Sequence, residues 1–152
     1  MSRELARASR LQIEFSTIVA DLDDFKLIND TYGHHVGDTA LRTVAAVIRD
    51  VIRPYDLCVR YAGDEFVVVL TDCGRGQAES KRLELEEAVR SIAFEPRPGD
   101  RLPLSISAGA AVFPHDGRAY DALLDAADSR MYAEKRARKA AGSTESGQRN
   151  PP

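Results

Sequence analysis

The sequence predicts an α/β domain of the α+β type: a central mixed, mostly antiparallel sheet flanked by helices. Two observations carry this. Apolar runs of strand length alternate with stretches whose apolar residues recur at helical spacing. In addition, two of those runs are separated by so short a polar segment that they must form a hairpin. The resulting order is helix, strand, helix, helix, strand–hairpin–strand, helix, strand, helix, which fits a βαββαβ core of ferredoxin-like or palm type.

Each element has its own justification. Residues 2–12 have helical composition, with Leu5, Ala8 and Leu11 on one side. Ile13 to Leu22 is an apolar run ending in acids, the profile of a buried central strand whose C-terminal end reaches solvent. Phe25 to Tyr32 suits a short helix ended by Gly33, and Asp38 to Ile52 a long amphipathic helix carrying Leu41, Val44, Ala45, Ile48, Val51 and Ile52. Leu57 to Tyr61 and Phe66 to Leu70 form the hairpin, whose tight turn is expected to thrust Asp64 and Glu65 to the rim of the sheet. Gln77 to Ile92 reads as a charged helix buried along Leu83, Leu85, Ala88, Val89 and Ile92. After the turn-rich Pro96-Arg97-Pro98-Gly99-Asp100 come a strand from Leu104 to Phe113 and a helix from Tyr120 to Ala140. One domain therefore spans 1–141, and the polar, Gly- and Pro-containing 142–152 reads as a disordered tail.

Bulk properties narrow the function. The 152 residues suffice for one domain with a real core. A net charge of −3 gives no basic coat for nucleic acid or a membrane surface, so an anionic ligand needs a locally arranged site. Cys58 and Cys73 read as reduced thiols, and the three histidines lack zinc-site spacing. No apolar run approaches the roughly 18 residues of a membrane helix. The start, with Arg3, Glu4, Arg7 and Arg10, lacks the apolar core of a signal peptide. The expectation is a cytoplasmic protein.

Four constellations could carry chemistry. Asp21, at the end of the first strand, and Asp64, at the turn, could supply the carboxylates a hard cation takes beside substrate phosphates; alternatively Asp21, Asp23 and Asp24 merely end a strand and cap the next helix. Asp38 reads either as an N-cap or as an acceptor for the paired donors of guanine, with Asn29 serving the O6/N7 edge. His34 on its own reads as packing locally. Arg53 and Asp56 form either a surface pair or a fork-and-carboxylate site for phosphate and guanine. Lys135, Arg136, Arg138 and Lys139 form a basic helix face that is either solvated or turned towards phosphates.

Together these segments resemble a GGDEF domain, of the diguanylate cyclase family. Asp21-Leu22-Asp23-Asp24-Phe25-Lys26-Leu27-Ile28-Asn29-Asp30-Thr31-Tyr32-Gly33-His34 is similar to the family's D-x-D-x-F-K-x-I-N-D-x-Y-G-H, and Val36-Gly37-Asp38 continues it. Ala62-Gly63-Asp64-Glu65-Phe66 occupies the signature turn, as an AGDEF variant. Ser107-Ala108-Gly109-Ala110-Ala111 resembles the later S-x-G-x-A strand, and Ala127-Asp128 with Met131-Tyr132-Ala133-Glu134-Lys135 the last-helix pattern.

The resemblance implies Mg2+-dependent condensation of two GTP into cyclic di-GMP with release of two pyrophosphates, at the interface of a homodimer. It places the metal (Mg2+, with Mn2+ as an alternative) on Asp21, the Leu22 carbonyl and Asp64. Asp64 or Glu65 takes the proton; Phe25, Lys26, Asn29, His34, Asp38, Gly63, Lys135 and Lys139 bind substrate. Arg53 and Asp56 become the inhibitory cyclic di-GMP site.

There are departures from the pattern. Ala62 stands where the signature has glycine, and Arg138-Lys139-Ala140 where the family has Gly-Arg-Asn. The opening L-T-x-L-x-N-R segment is not seen. Two rivals remain: a catalytically silent module binding cyclic di-GMP or GTP, and another palm-type nucleotidyl cyclase, which the guanine reader disfavours.

Overall fold

A computed structural model of the chain describes Arg3 and residues 14–148, with side chains through Ala141. The expected helix over 2–12 lies outside the described residues, apart from Arg3. The elements are β1 (Phe15–Leu22), α1 (Phe25–Tyr32), α2 (His34–Val51), β2 (Leu57–Ala62), β3 (Glu65–Thr71), α3 (Arg75–Arg90), β4 (Ile106–Phe113) and α4 (Tyr120–Gln148).

The four strands lie in the order β2-β3-β1-β4, and every neighbouring pair is antiparallel. The expected mixed sheet is thus corrected to a wholly antiparallel one. Both helical crossovers, β1 to β2 and β3 to β4, skip over a strand, so no parallel pair ever becomes adjacent. The ferredoxin-like topology stands.

β1 is central and buried along its whole length. Strand alternation divides its side chains between two layers. Ile18, Ala20 and Leu22 pack with Phe66, Val68 and Leu70 against Leu41, Val44 and Ile48 of α2 and Leu85 and Val89 of α3. Phe15 and Val19 pack with Val67, Val69 and Phe113 beneath Leu123, Ala127 and Met131 of α4. The close approach of α4 depends on Gly109, where a Cβ would fall 2.2 Å from the Ala127 carbonyl oxygen and 2.4 Å from the Met131 nitrogen.

Several boundaries differ from expectation for identifiable reasons. Gly33, at φ 94°, ends α1 and leads straight into α2, which therefore begins at His34 rather than Asp38. Asp38 lies in the second turn and is exposed, so the N-cap reading is wrong. On α3 the buried positions are Ala78, Arg82, Leu85, Glu86 and Val89, while Leu83 is exposed. An apolar count misplaces that stripe because two of its members are charged. β4 begins two residues later than expected. α4 continues to Gln148, through most of the segment read as a disordered tail. Once nucleated, a helix gains one hydrogen bond per added residue, and no proline intervenes before 151.

Candidate active site

The site collects where the C-terminal end of β1 meets the β2–β3 turn and the middle of α4. The turn has two residues, Gly63 and Asp64. Gly63 sits at φ 42° and Arg60 Nε donates to its carbonyl at 2.8 Å, closing the tip. Ala62 ends β2 and is not among the positive-φ residues, so the signature glycine it replaces is dispensable for the turn. The Leu22 N–H donates to the Asp64 carbonyl at 3.2 Å, which ties the tip to the end of β1.

That tie sets Asp64 beside Asp21. Asp21 is 7% exposed; its Oδ2 accepts from Lys135 Nζ at 2.7 Å, and its Oδ1 is buried without a partner. Burial first, and the neighbouring Asp64 carboxyl second, push Asp21 up to about 7 against the pull of Lys135. Lys135, though burial works to lower it, is held above its usual value by Asp21. Two abutting carboxylates with an orphaned oxygen are a donor set short of a cation. Among the described residues no cluster of three or more His, Cys, Asp or Glu side chains could hold a metal. Two carboxylates plus a carbonyl nonetheless suit Mg2+, which keeps water and phosphate in its other positions.

The two acids of the signature part company. Asp64 is in the turn, whereas Glu65 is the first residue of β3, opposite Asp21 in register. Glu65 lines a cavity of about 460 Å3 with Val19, Tyr61, Val67 and the α4 acids Asp121, Asp125 and Asp128. Burial, then Asp128 and Asp64, raise its pKa.

The segment after β1 supplies the other surfaces. Asp24, the residue before α1, has φ 58° and gives no side-chain cap, so the first N–H groups of α1 remain open to an anion. Phe25 is half-buried and Lys26 exposed. Asn29 Oδ1 is buried without a partner and lies against the backbone of α2. Only a glycine permits this: a Cβ on Gly37 would come within 1.8 Å of that oxygen. Asp38 follows Gly37, and His34, exposed, begins α2. Gly37 was legible only as part of a motif, without a role.

On α4, Lys135 turns to Asp21 and Arg138 to Asp23, so part of the basic face does point into the site, onto its acids. Arg136 and Lys139 are exposed. Asp23, read as a possible strand-end acid, accepts from Ser105 Oγ at 2.7 Å and Ser107 Oγ at 2.6 Å. Ser105 carried no signal in the sequence.

Arg53 and Asp56 meet at the far end of β3. Asp56 Oδ2 accepts from the Arg53 N–H at 3.0 Å and Arg53 Nε at 3.1 Å, and Oδ1 from the Thr71 N–H at 3.1 Å. The Asp56 side chain is fully buried, so the pair is no ordinary surface contact; the Arg53 guanidinium stacks over Tyr55 at 4.7 Å. Glu65 and Thr71 bound β3, which separates this pair from the tip by about 20 Å at the rise of a strand.

A ferredoxin-like sheet that delivers two carboxylates, a lysine and an uncapped helix start to one corner defines a domain able to hold a cation and a polyanion. The family described as "Diguanylate cyclase, GGDEF domain" matches residues 1–141, and the chain belongs to that family. Among curated relatives it is 37% identical over 134 residues to diguanylate cyclase DosC of Escherichia coli K12, covering 88% of this chain and 29% of DosC. The chain thus spans about a third of the length of such relatives. Among solved structures it is similar to the GGDEF domain of YfiN (TpbB) from Pseudomonas aeruginosa, with TM-score 0.82, 34% identity and coverage of 89% and 84%. It is also similar to the GGDEF domain of DgcB from Caulobacter crescentus in complex with c-di-GMP, with TM-score 0.80, 30% identity and coverage of 89% and 80%. Among the described residues no helix is long and apolar enough to cross a membrane.

Proposed function

We propose that this domain condenses two molecules of GTP into cyclic di-GMP, releasing two pyrophosphates. The observation that carries the reading is the pairing of Asp21 with Asp64 around the buried, unpartnered Oδ1 of Asp21. Asp21, the Leu22 carbonyl and Asp64 hold Mg2+ or Mn2+. When bound, that ion neutralises phosphate charge and lowers the pKa of a coordinated hydroxyl.

The chain's own groups do the rest. Asn29 and Asp38 receive the guanine, Asn29 lodged in the space that Gly37 leaves. The open N–H groups at Phe25, with Lys26, hold the phosphates, and Lys135 and Lys139 close on them from α4. Lys135 is already drawn in by Asp21 and neutralises the corner until nucleotide arrives. Asp64 accepts the proton as the 3′-oxygen of one GTP bonds to the α-phosphorus of the other and pyrophosphate leaves. Glu65, beside it and raised by burial, is the competing acceptor.

Each chain offers one guanine reader and one carboxylate pair. Two chains must therefore face one another, the second orienting its GTP for attack. Product binds at Arg53, whose guanidinium the buried Asp56 holds in place, about 20 Å from the tip, and restrains turnover from there.

The test is incubation of concentrated protein with Mg2+ and GTP or ATP, followed by chromatographic identification of products. Cyclic di-GMP from GTP alone, lost in Asp64→Ala, is the expected result. No cyclic di-GMP even from a forced dimer would overturn the reading in favour of a silent binding module.

A further inference from the structure

We infer that Arg138 is a positioning residue of the nucleotide site. With Glu86 behind it, Arg138 clamps Asp23, and through Asp23 it fixes the turn from β1 into α1 on which the phosphates rest. The inference builds on the GTP reading above.

Asp23 is committed inside the protein. Its Oδ1 accepts from Ser107 Oγ at 2.6 Å, and its Oδ2 accepts from Ser105 Oγ at 2.7 Å and Arg138 Nη1 at 3.2 Å. Its backbone N–H donates to the Ser105 carbonyl at 2.9 Å. Engaged this way, Asp23 pins the turn to β4 and α4 instead of serving a ligand. The pinned turn is one that needs holding, because Asp24 beside it lies in the left-handed region at φ 58°.

Arg138 is itself held from behind. Its Nη1 also donates to the Ile106 carbonyl, and its Nη2 lies 2.8 Å from Glu86 Oε2. Glu86, on α3, is 3% exposed, and its other oxygen accepts from Arg82 Nη1 at 2.9 Å. Arg82, 8% exposed, is braced by Glu79. A chain of alternating charges thus runs from α3 past β4 to α4 and ends on the turn beside Asp21.

Such a chain is poorly explained by stability alone. Burying a carboxylate between guanidinium groups costs desolvation that apolar residues of similar size would avoid. Burial pushes Glu86 up despite Arg138 and Arg82. Arg138 also falls where the family pattern usually has glycine, so the pattern itself does not call for the clamp. Because its guanidinium is planar and forked, Arg138 can meet Asp23 and Glu86 at once, which a lysine cannot.

The test separates positioning from stability. Arg138→Met combined with Glu86→Gln removes the ion pair, leaves the buried Arg82 an amide oxygen to donate to, and frees Asp23. Arg138→Lys is the conservative comparison. Titration of each protein with a non-hydrolysable GTP analogue and Mg2+ is expected to show about tenfold weaker binding for the double variant, the size of a lost charge-assisted hydrogen bond. Arg138→Lys should fall between. In turnover, KM for GTP should rise by the same factor while kcat stays within about twofold. A double variant that is as stable as the wild type and binds the analogue equally well overturns the inference. A wild-type chain that binds no analogue overturns both it and the GTP reading, and the wild-type titration alone reveals that case.

Discussion

Replacing Asp21 with asparagine should make the metal-free protein more stable, not less, at neutral and alkaline pH. The substitution keeps the shape of the side chain and removes one of two abutting charges. Burial and Asp64 have pushed Asp21 up to about 7, against 3.8 for an unperturbed aspartate. The folded state therefore holds the Asp21 proton more tightly than the unfolded chain does. The stability this confers is complete below about pH 4 and is lost as pH rises to about 7, above which it stays level. The difference corresponds to about 4 kcal/mol at ~1.36 kcal/mol per pH unit. Water at the rim of the sheet screens part of this, leaving about 2 kcal/mol. For a chain of this length that is roughly 4–8 °C in Tm.

The assay is thermal unfolding followed by circular dichroism, in chelator, at about pH 5 and about pH 8. Wild type should melt lower at the higher pH, and Asp21→Asn should melt above wild type there by roughly the 4–8 °C estimated from the charge pair. Added Mg2+ should raise the wild type and not the variant, since only the intact pair binds the ion. A variant that melts below the wild type in chelator at about pH 8 would refute the charge-conflict account of this corner. So would a wild type whose Tm is the same at both pH values.

The remaining predictions concern single contacts. Arg53→Ala should abolish inhibition by added cyclic di-GMP and spare the initial rate, because Arg53 lies at the other end of β3 from the turn; unchanged inhibition would exclude that site. Gly37→Ala places a Cβ within 1.8 Å of Asn29 Oδ1, so it should expel that side chain and narrow the preference for GTP over ATP, as read by competition binding. An unaltered preference would remove Asn29 from guanine recognition. Gly109→Ala should lower stability by about 1–3 kcal/mol in a urea titration, because its Cβ meets the backbone of α4, which cannot yield as a side chain would. An unshifted midpoint would show that α4 packs less closely.

What was legible in the sequence was whatever follows from periodicity or from short-range chain geometry. α1 has the bounds its pattern implies, and the hairpin and β1 differ from expectation by a residue or two. The long-range pairings were not legible. Nothing near Asp23 announces Arg138, which lies 115 residues on, and nothing marks Ser105 as its partner. On α3, counting apolar residues selected Leu83 and passed over Arg82 and Glu86, since a buried ion pair is invisible to hydrophobic spacing. Glycines mislead in the same way. Gly37 stands just outside the helix expected from Asp38, yet it lies inside α2, where its missing side chain makes room for Asn29.

The unsatisfied polar atoms point to where function has overruled folding. Among the described residues, three buried side-chain oxygens lack a hydrogen-bond partner: Thr17 Oγ1, Asp21 Oδ1 and Asn29 Oδ1. Leaving such an atom unpaired costs about 1–3 kcal/mol. A sequence shaped for stability alone would place an apolar residue at each position. Thr17 lies within β1, between Val69 and Ala111 in register, and away from the turn. The other two stand at the carboxylate pair and beside the pocket proposed for guanine: a metal would satisfy Asp21 Oδ1, while the Asn29 amide nitrogen, on the other side of the same group, is left to donate to the O6/N7 edge. Ligand should therefore raise Tm beyond what its phosphates alone achieve. GTP with Mg2+ should stabilise this chain more than inorganic triphosphate with Mg2+ at equal occupancy, because only GTP reaches Asn29.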